Sequence, residues 1–250
     1  MEFFMIVILV IAAFAANFFS VMTGGAGLIM TPLMVAFGMP PVNAIACTKF
    51  SYIGSSVTGT IKFHKEKKID YKLALPLVIF SVVGSLLGAF LLFIVPPRFL
   101  KMFIAFMMLG ILALVVFNRN IGVKDKPMDI TRRRLFFGGI LVSLAIVMGI
   151  LAGGGLVVLI SYVLVFLFGE SFMHSAGTQK ILNDVTFLIL AVIFMIMGVV
   201  RYEIAIPLLV SASLGGWFGA VYGLSRSAIW IKNTFMVVIV LLSTKILLTL

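Results

Sequence analysis

Two stretches decide the fold: "VMTGGAGLIMTPL" at residues 21–33 and "MGILAGGGLVVLI" at residues 148–160. Each sets a small glycine cluster in the middle of a long apolar run. The runs belong to a chain of 250 residues that is 63% hydrophobic and only 11% charged, against about 25% charged in an ordinary soluble domain. Nearly uncharged stretches recur at 3–37, 73–97, 102–117, 135–168, 181–200 and 204–224. Each approaches or exceeds the length a helix needs to cross a bilayer core of roughly 30 Å. Membrane-barrel strands would instead read as alternating segments of about ten residues. The pattern therefore predicts an all-α integral membrane protein.

The net charge of +11 sits in short loops, mainly "KFHKEKKIDYK" (62–72) and "NRNIGVKDKPMDITRRR" (118–134). Such clusters mark cytoplasmic loops of a multi-pass protein of the cell membrane and give no sign of nucleic-acid binding. Cys47 is the single cysteine, and His64 and His174 stand far apart. No disulfide, metal site or cofactor is expected. The N-terminal run carries Ala13-Phe14-Ala15, like a signal cleavage site. Glu2 stands where basic residues are usual and the run continues past Ala16, so a retained span is expected.

The two glycine clusters belong to an internal repeat. Gly25-Ala26-Gly27 aligns with Gly153-Gly154-Gly155 at a spacing of 128, and Ala46 and Thr48 align with Ala176 and Thr178 at 130. Tyr71, Ala74, Pro76, Gly84, Gly88 and Lys101 then match Tyr202, Ala205, Pro207, Gly215, Gly219 and Lys232 at 131. This divides the chain into a first repeat (1–117), a basic linker (118–134) and a second repeat (135–250). About eight transmembrane segments are expected, at 3–37, 42–62, 72–95 and 98–117, then 135–168, 172–200, 203–223 and 229–249. Tandem repeats of this kind characterise secondary transporters.

The repeat, the clusters "GGAG" and "AGGG" with Pro32 after the first, and the stretches "PPVNAIACTK" (40–49) and "SAGTQK" (175–180) together resemble the TauE/SafE sulfite exporters, a family of duplicated four-segment anion exporters. The resemblance covers essentially the whole chain. It implies an exporter of sulfite, a sulfonate or another sulfur-containing organic anion.

Physical chemistry gives the glycines a purpose. A first segment of about 35 residues would reach roughly 52 Å as one helix, far beyond the hydrocarbon thickness. Glycine weakens a helix by ~1 kcal/mol per residue and admits positive φ, so each first segment is expected to break at its cluster. The half-helix that follows turns a positive N-terminal end to the membrane interior, where it attracts anions. The pairs Gly84/Gly88 and Gly215/Gly219 read instead as close helix contacts.

Charges inside the spans are few. Lys49, Lys180 and Asp184 fall within apolar segments, with Lys245 near the end of the last. An intramembrane charge costs about 2.5–3.5 kcal/mol on insertion scales and needs a partner or a watery cavity. Lys180 and Asp184, four apart on one helix face, can neutralise each other, whereas Lys49 has isoleucine at both 45 and 53. The expected substrate site comprises Gly24, Gly25, Gly27, Asn43, Thr48, Lys49, Gly153, Gly154, Gly155, Thr178, Gln179, Lys180 and Asn183, with Asp184 as the candidate coupling residue. The expected partners are the lipid bilayer, a small anion and, as one option, coupling protons. The sequence does not set the oligomeric state.

These residues point to a secondary transporter working by alternating access between the two repeats. An anion channel with the same site is the alternative. An intramembrane enzyme is disfavoured, because no Gly-x-Ser-x-Gly elbow, His-Glu-x-x-His or paired intramembrane acid occurs. Orientation stays open at this stage. If every segment crosses once, 12 loop Lys/Arg face 4 on the other side; if each broken segment is a re-entrant hairpin, 13 face 3. Both satisfy the positive-inside rule, and eight crossings are the working expectation.

Overall fold

The computed structural model describes residues 2–23, 25–100, 102–104, 106–107, 110 and 128–224. Gly24, residues 118–127 of the linker, most of the segment expected at 98–117, all of that at 229–249, and Lys245 lie outside the described residues. Within them the elements are α1 (Glu2–Thr23), α2 (Ala26–Ala36), α3 (Pro41–Lys65), α4 (Tyr71–Ile94), α5 (Arg132–Leu151), α6 (Leu156–Phe168), α7 (Phe172–Ile196) and α8 (Tyr202–Leu224). Among the described residues there is no strand. Helices α1, α4, α5, α7 and α8 are long and apolar enough to cross a membrane.

Both glycine clusters break the helix. Helix α2 starts after Gly25 (φ 96°) and α6 after Gly155 (φ 82°), left-handed conformations that glycine adopts without steric cost. The half-helices are short, 11 and 13 residues, or roughly 16 and 20 Å. Neither can cross a hydrocarbon core of ~30 Å, and each packs against the helix before it.

Contacts at the helix ends fix the direction of each element. Lys67–Leu73, Met128, Ile130 and Phe168–Glu170 line a common cavity of about 650 Å³, so α5 departs from and α6 returns to one end of the molecule. At the opposite end Asn43 Nδ2 donates to the Val199 carbonyl (2.9 Å) and the Arg201 N–H donates to Cys47 Sγ (3.4 Å), which places the start of α3 beside the start of α8. Helix α1 runs parallel to α8. Ser211 Oγ donates to the Val10 carbonyl (2.6 Å), Gly215 abuts Phe14 and Gly219 abuts Phe18. The α1–α2 unit therefore enters from this opposite end and returns to it before α3.

Single crossings of the two broken segments, the working expectation from sequence, are thus replaced by two helical hairpins entering from opposite ends. Their tips meet. Thr31 Oγ1 donates to the Gly153 carbonyl (2.9 Å), and a Cβ on Gly154 would strike the backbone of Gly27 and Leu28.

The remaining helices hold this crossing in place. Helix α3 packs on α7 and α8, and α4 on α5 and α7, around buried Ile45, Leu77, Ile146, Leu190 and Phe194. Gly84 and Gly88 seat α4 on Ser143 and Ile150 of α5, as Gly215 and Gly219 seat α8 on α1. These are the close contacts that small residues permit between apolar helices, where packing replaces the hydrophobic effect.

Candidate binding site

A small cavity of about 40 Å³ lies where the hairpin tips meet α3 and α7. The first tip contributes Gly25, Ala26 and Gly27, and the second Gly154, Gly155 and Val157. Asn17 and Ser20 reach it from α1, Lys49, Tyr52, Ser55 and Ser56 from α3, and Lys180, Asn183 and Phe187 from α7. No Asp or Glu lines it among the described residues.

Helix ends explain much of its electrostatics. Asp70 caps α4 by accepting from the N–H groups of Lys72 and Leu73, Thr131 caps α5 and Ser171 caps α7. Helices α2 and α6 start on glycine and have no side-chain cap. The first-turn N–H groups of a helix largely lack intrahelical acceptors, and the residues that start both half-helices line the cavity. Each such end carries the equivalent of about half a positive charge.

Two ammonium groups add to this field. Lys49 is 1% exposed and Lys180 6%. Lys49 Nζ donates to the Gly149 carbonyl (3.3 Å) and lies 5.8 Å from the Phe187 ring centroid. Gly149 is in the last turn of α5, whose C-terminal carbonyls are the negative end of that helix. That contact and the ring face compensate Lys49 in part. Lys180 Nζ lies 5.9 Å from the Phe63 ring centroid. Asp184 sits behind it and accepts from Thr60 Oγ1 (2.6 Å), with no place on the cavity wall.

Of the residues expected from sequence, Gly25, Gly27, Lys49, Gly154, Gly155, Lys180 and Asn183 come together at this cavity. Five do not. Asn43 lies at the start of α3, bonded to Val199. Thr178 Oγ1 donates to Glu170 Oε1 (2.6 Å) and accepts from the Asp70 N–H (3.2 Å) at the other end. Thr48 is buried between Thr31 (3.4 Å) and the Met34 sulfur (3.9 Å). Gly153 turns its carbonyl to Thr31. Gln179 is fully buried away from the cavity. Asn43 sits at the start of α3, away from the central depth, and Thr178, two residues before Lys180, lies on a different face of α7, turned to Glu170 and Asp70.

Glycine and charge patterns do not mark Asn17, Ser20, Tyr52, Ser55, Ser56 or Phe187. Helical spacing does. Lys49, Tyr52 and Ser56 stand at i, i+3 and i+7, and Lys180, Asn183 and Phe187 repeat that spacing 131 residues later, which puts each trio on one face of its helix.

A family model described as Sulfite exporter TauE/SafE matches residues 9–246. The chain is 26% identical to the "Probable membrane transporter protein ORF9" of Sinorhizobium sp, over 99% of this chain and 94% of that protein. It is 24% identical to a "Probable membrane transporter protein" of Haemophilus influenzae, over 96% and 94%. To the "Probable membrane transporter protein YfcA" of Escherichia coli K12 it is 26% identical, over 96% and 88%. No solved structure matches the chain.

Proposed function

From the premise that this chain belongs to the TauE/SafE sulfite exporter family and is a membrane transporter, not an enzyme, we propose that it carries a small anion through the cavity between its hairpin tips. One observation carries the reading: two uncapped half-helix N-termini and two buried lysines surround one cavity with no carboxylate on its described lining. Two lysines and two helix N-termini gather positive potential here, offset in part by the Gly149 carbonyl and by Asp184, and burial deprives them of the water that would screen them. An anion entering the cavity offsets that potential, so the cargo completes the electrostatics of the site. Sulfite, a sulfonate or another sulfur-containing anion has the charge and the oxygen acceptors this requires.

The cycle we infer is alternating access between two inverted four-segment repeats. Hydrogen bonds tie helix ends together on both sides of the site. Thr178, Asp70 and Glu170 join the loops at one end, and Asn43, Val199, Cys47 and Arg201 join the helices at the other. Breaking one set while the other holds admits the anion from one side only. If each broken segment is a re-entrant hairpin, the sequence tally puts 13 loop Lys/Arg on one side against 3 on the other, and we take the end bearing residues 62–72 as cytoplasmic on the positive-inside rule. Asp184, beside Lys180 and held by Thr60, is our candidate for a proton coupled to export.

Purified protein in sulfite-loaded vesicles tests this. Carrier action gives efflux that saturates with sulfite and accelerates when the outer solution contains sulfite. Efflux that rises linearly and ignores the outer anion rejects alternating access and leaves an anion channel.

A further inference from the structure

Tyr52 has a buried hydroxyl that the fold leaves unused. The residue is 6% exposed, lines the central cavity, and its hydroxyl has no hydrogen-bond partner among the described residues. A hydroxyl stranded in an apolar interior forfeits its hydration without compensation, and a phenylalanine would fill the same space without that loss. The ring itself is well placed, packed edge-to-face on Phe187 with centroids 5.9 Å apart. Packing therefore explains the aromatic ring and leaves the oxygen unexplained.

The corresponding position of the second half is Asn183, 131 residues on. It also lines the cavity, is 1% exposed, and its Oδ1 has no partner among the described residues. Each half thus places at the cavity a lysine and, one turn later, a residue with an unsatisfied buried polar atom. Amide orientation is an assignment, and a turned amide offers its NH₂ to the cavity.

We propose that Tyr52 is a cargo-binding residue whose phenol donates a hydrogen bond to an oxygen of the bound anion, and that its ring, with Phe187, limits the cargo to compact oxyanions. The proposal rests on the central-site reading above and narrows it. A cavity of about 40 Å³ holds roughly three waters at ~10–15 Å³ each. That suits a four-atom oxyanion such as sulfite better than a sulfonate, whose carbon tail would have to extend past the cavity. Tyr52 and Phe187 are the aromatic walls that set this limit. A site built around a donor rejects anions that lack an acceptor there, because its own hydroxyl is then left unpaired.

Binding of sulfite and of 2-aminoethanesulfonate to the purified full chain, by calorimetry, tests the proposal with wild type, Tyr52→Phe, Tyr52→Ala and Lys49→Gln. Wild type is expected to bind sulfite and not the sulfonate. Tyr52→Phe should weaken sulfite about tenfold or more, the usual loss of a hydrogen bond to a charged group, with a melting temperature no lower than that of wild type. Tyr52→Ala should gain sulfonate binding. Sulfite binding by Tyr52→Phe equal to wild type, with binding lost in Lys49→Gln, removes Tyr52 and leaves the anion site standing. Wild type that binds neither anion, or binding untouched by Lys49→Gln, overturns the anion site and this proposal with it.

Discussion

Replacing Gly154 by alanine tests whether the crossing of the two hairpin tips is what the glycine clusters are for. The added Cβ would meet the Gly27 carbonyl carbon, the Leu28 nitrogen and the Gly27 Cα. All three are backbone atoms, so relief requires moving the start of α2 as a whole. Overpacking costs typically ~1–3 kcal/mol, and with no flexible side chain to yield we expect about 3 kcal/mol. At roughly 2–4 °C per kcal/mol for a chain of this size, the melting temperature should fall by about 6–12 °C. Gly88→Ala is the control: its closest neighbour is the tip of the Ile150 side chain, which can rotate away at a cost of about 1 kcal/mol. Melting of the purified variants, followed by size-exclusion recovery, gives the comparison. Transport should be lost in the Gly154→Ala molecules that remain folded, because the displaced tip carries the α2 N–H groups away from the site. Melting within about 2 °C of wild type, with normal transport, would refute the tip-to-tip geometry.

Other consequences follow from the same contacts. Thr31→Val keeps the shape of the side chain and loses the bond to the Gly153 carbonyl. It should cost about 1 kcal/mol and be non-additive with Gly154→Ala in a double-mutant melting cycle, since both act on one tip. Met197, 53% exposed at the end of α7, lies with Val199 at the end opposite the basic loops. A cysteine there, in a Cys47→Ser background, should react with an impermeant thiol reagent in intact cells. Reaction only after permeabilisation would restore the single-crossing arrangement. If Asp184 carries the coupling proton, Asp184→Asn should abolish accumulation driven by a pH gradient and spare sulfite exchange, which needs no net proton movement. Loss of both would make Asp184 a structural partner of Thr60 and Lys180.

The parts of the fold legible in sequence are those set by local geometry. The helix breaks follow from segments too long for a bilayer and from glycine at their middle, and the chain does reverse at Gly25 and Gly155. Burial of Lys49 and Lys180 follows from their isolation among apolar neighbours. Whether a broken segment crosses or doubles back is a different matter, because both arrangements satisfy the charge rule. That depends on α6 returning to the Lys67–Leu73 loop, a contact between distant residues with no local signal.

The site was partly legible for the same reason. Lysines and glycines stand out against apolar helices, so the tips and both cations could be named. Asn43 and Thr178 are adjacent to them in sequence, yet each bonds away from the cavity. Tyr52 and Ser56 were hidden by ordinary chemistry, since a tyrosine or serine in a helix is common. Their spacing from Lys49 is the signal that places them on its face.

The central claim is that the buried cations between the hairpin tips hold the transported anion, and Lys49→Gln in reconstituted vesicles tests it most directly. Glutamine keeps a polar, flexible side chain of similar girth and removes the cost of a buried charge, so the variant should fold and incorporate like wild type while one of the two positive charges is gone. Exchange of radiolabelled sulfite against internal unlabelled sulfite is the readout. Wild type should exchange saturably, and Lys49→Gln should show a much higher KM or no exchange, with Lys49→Arg partly active because it keeps the charge and alters the donor geometry. Wild-type exchange by Lys49→Gln would contradict the claim.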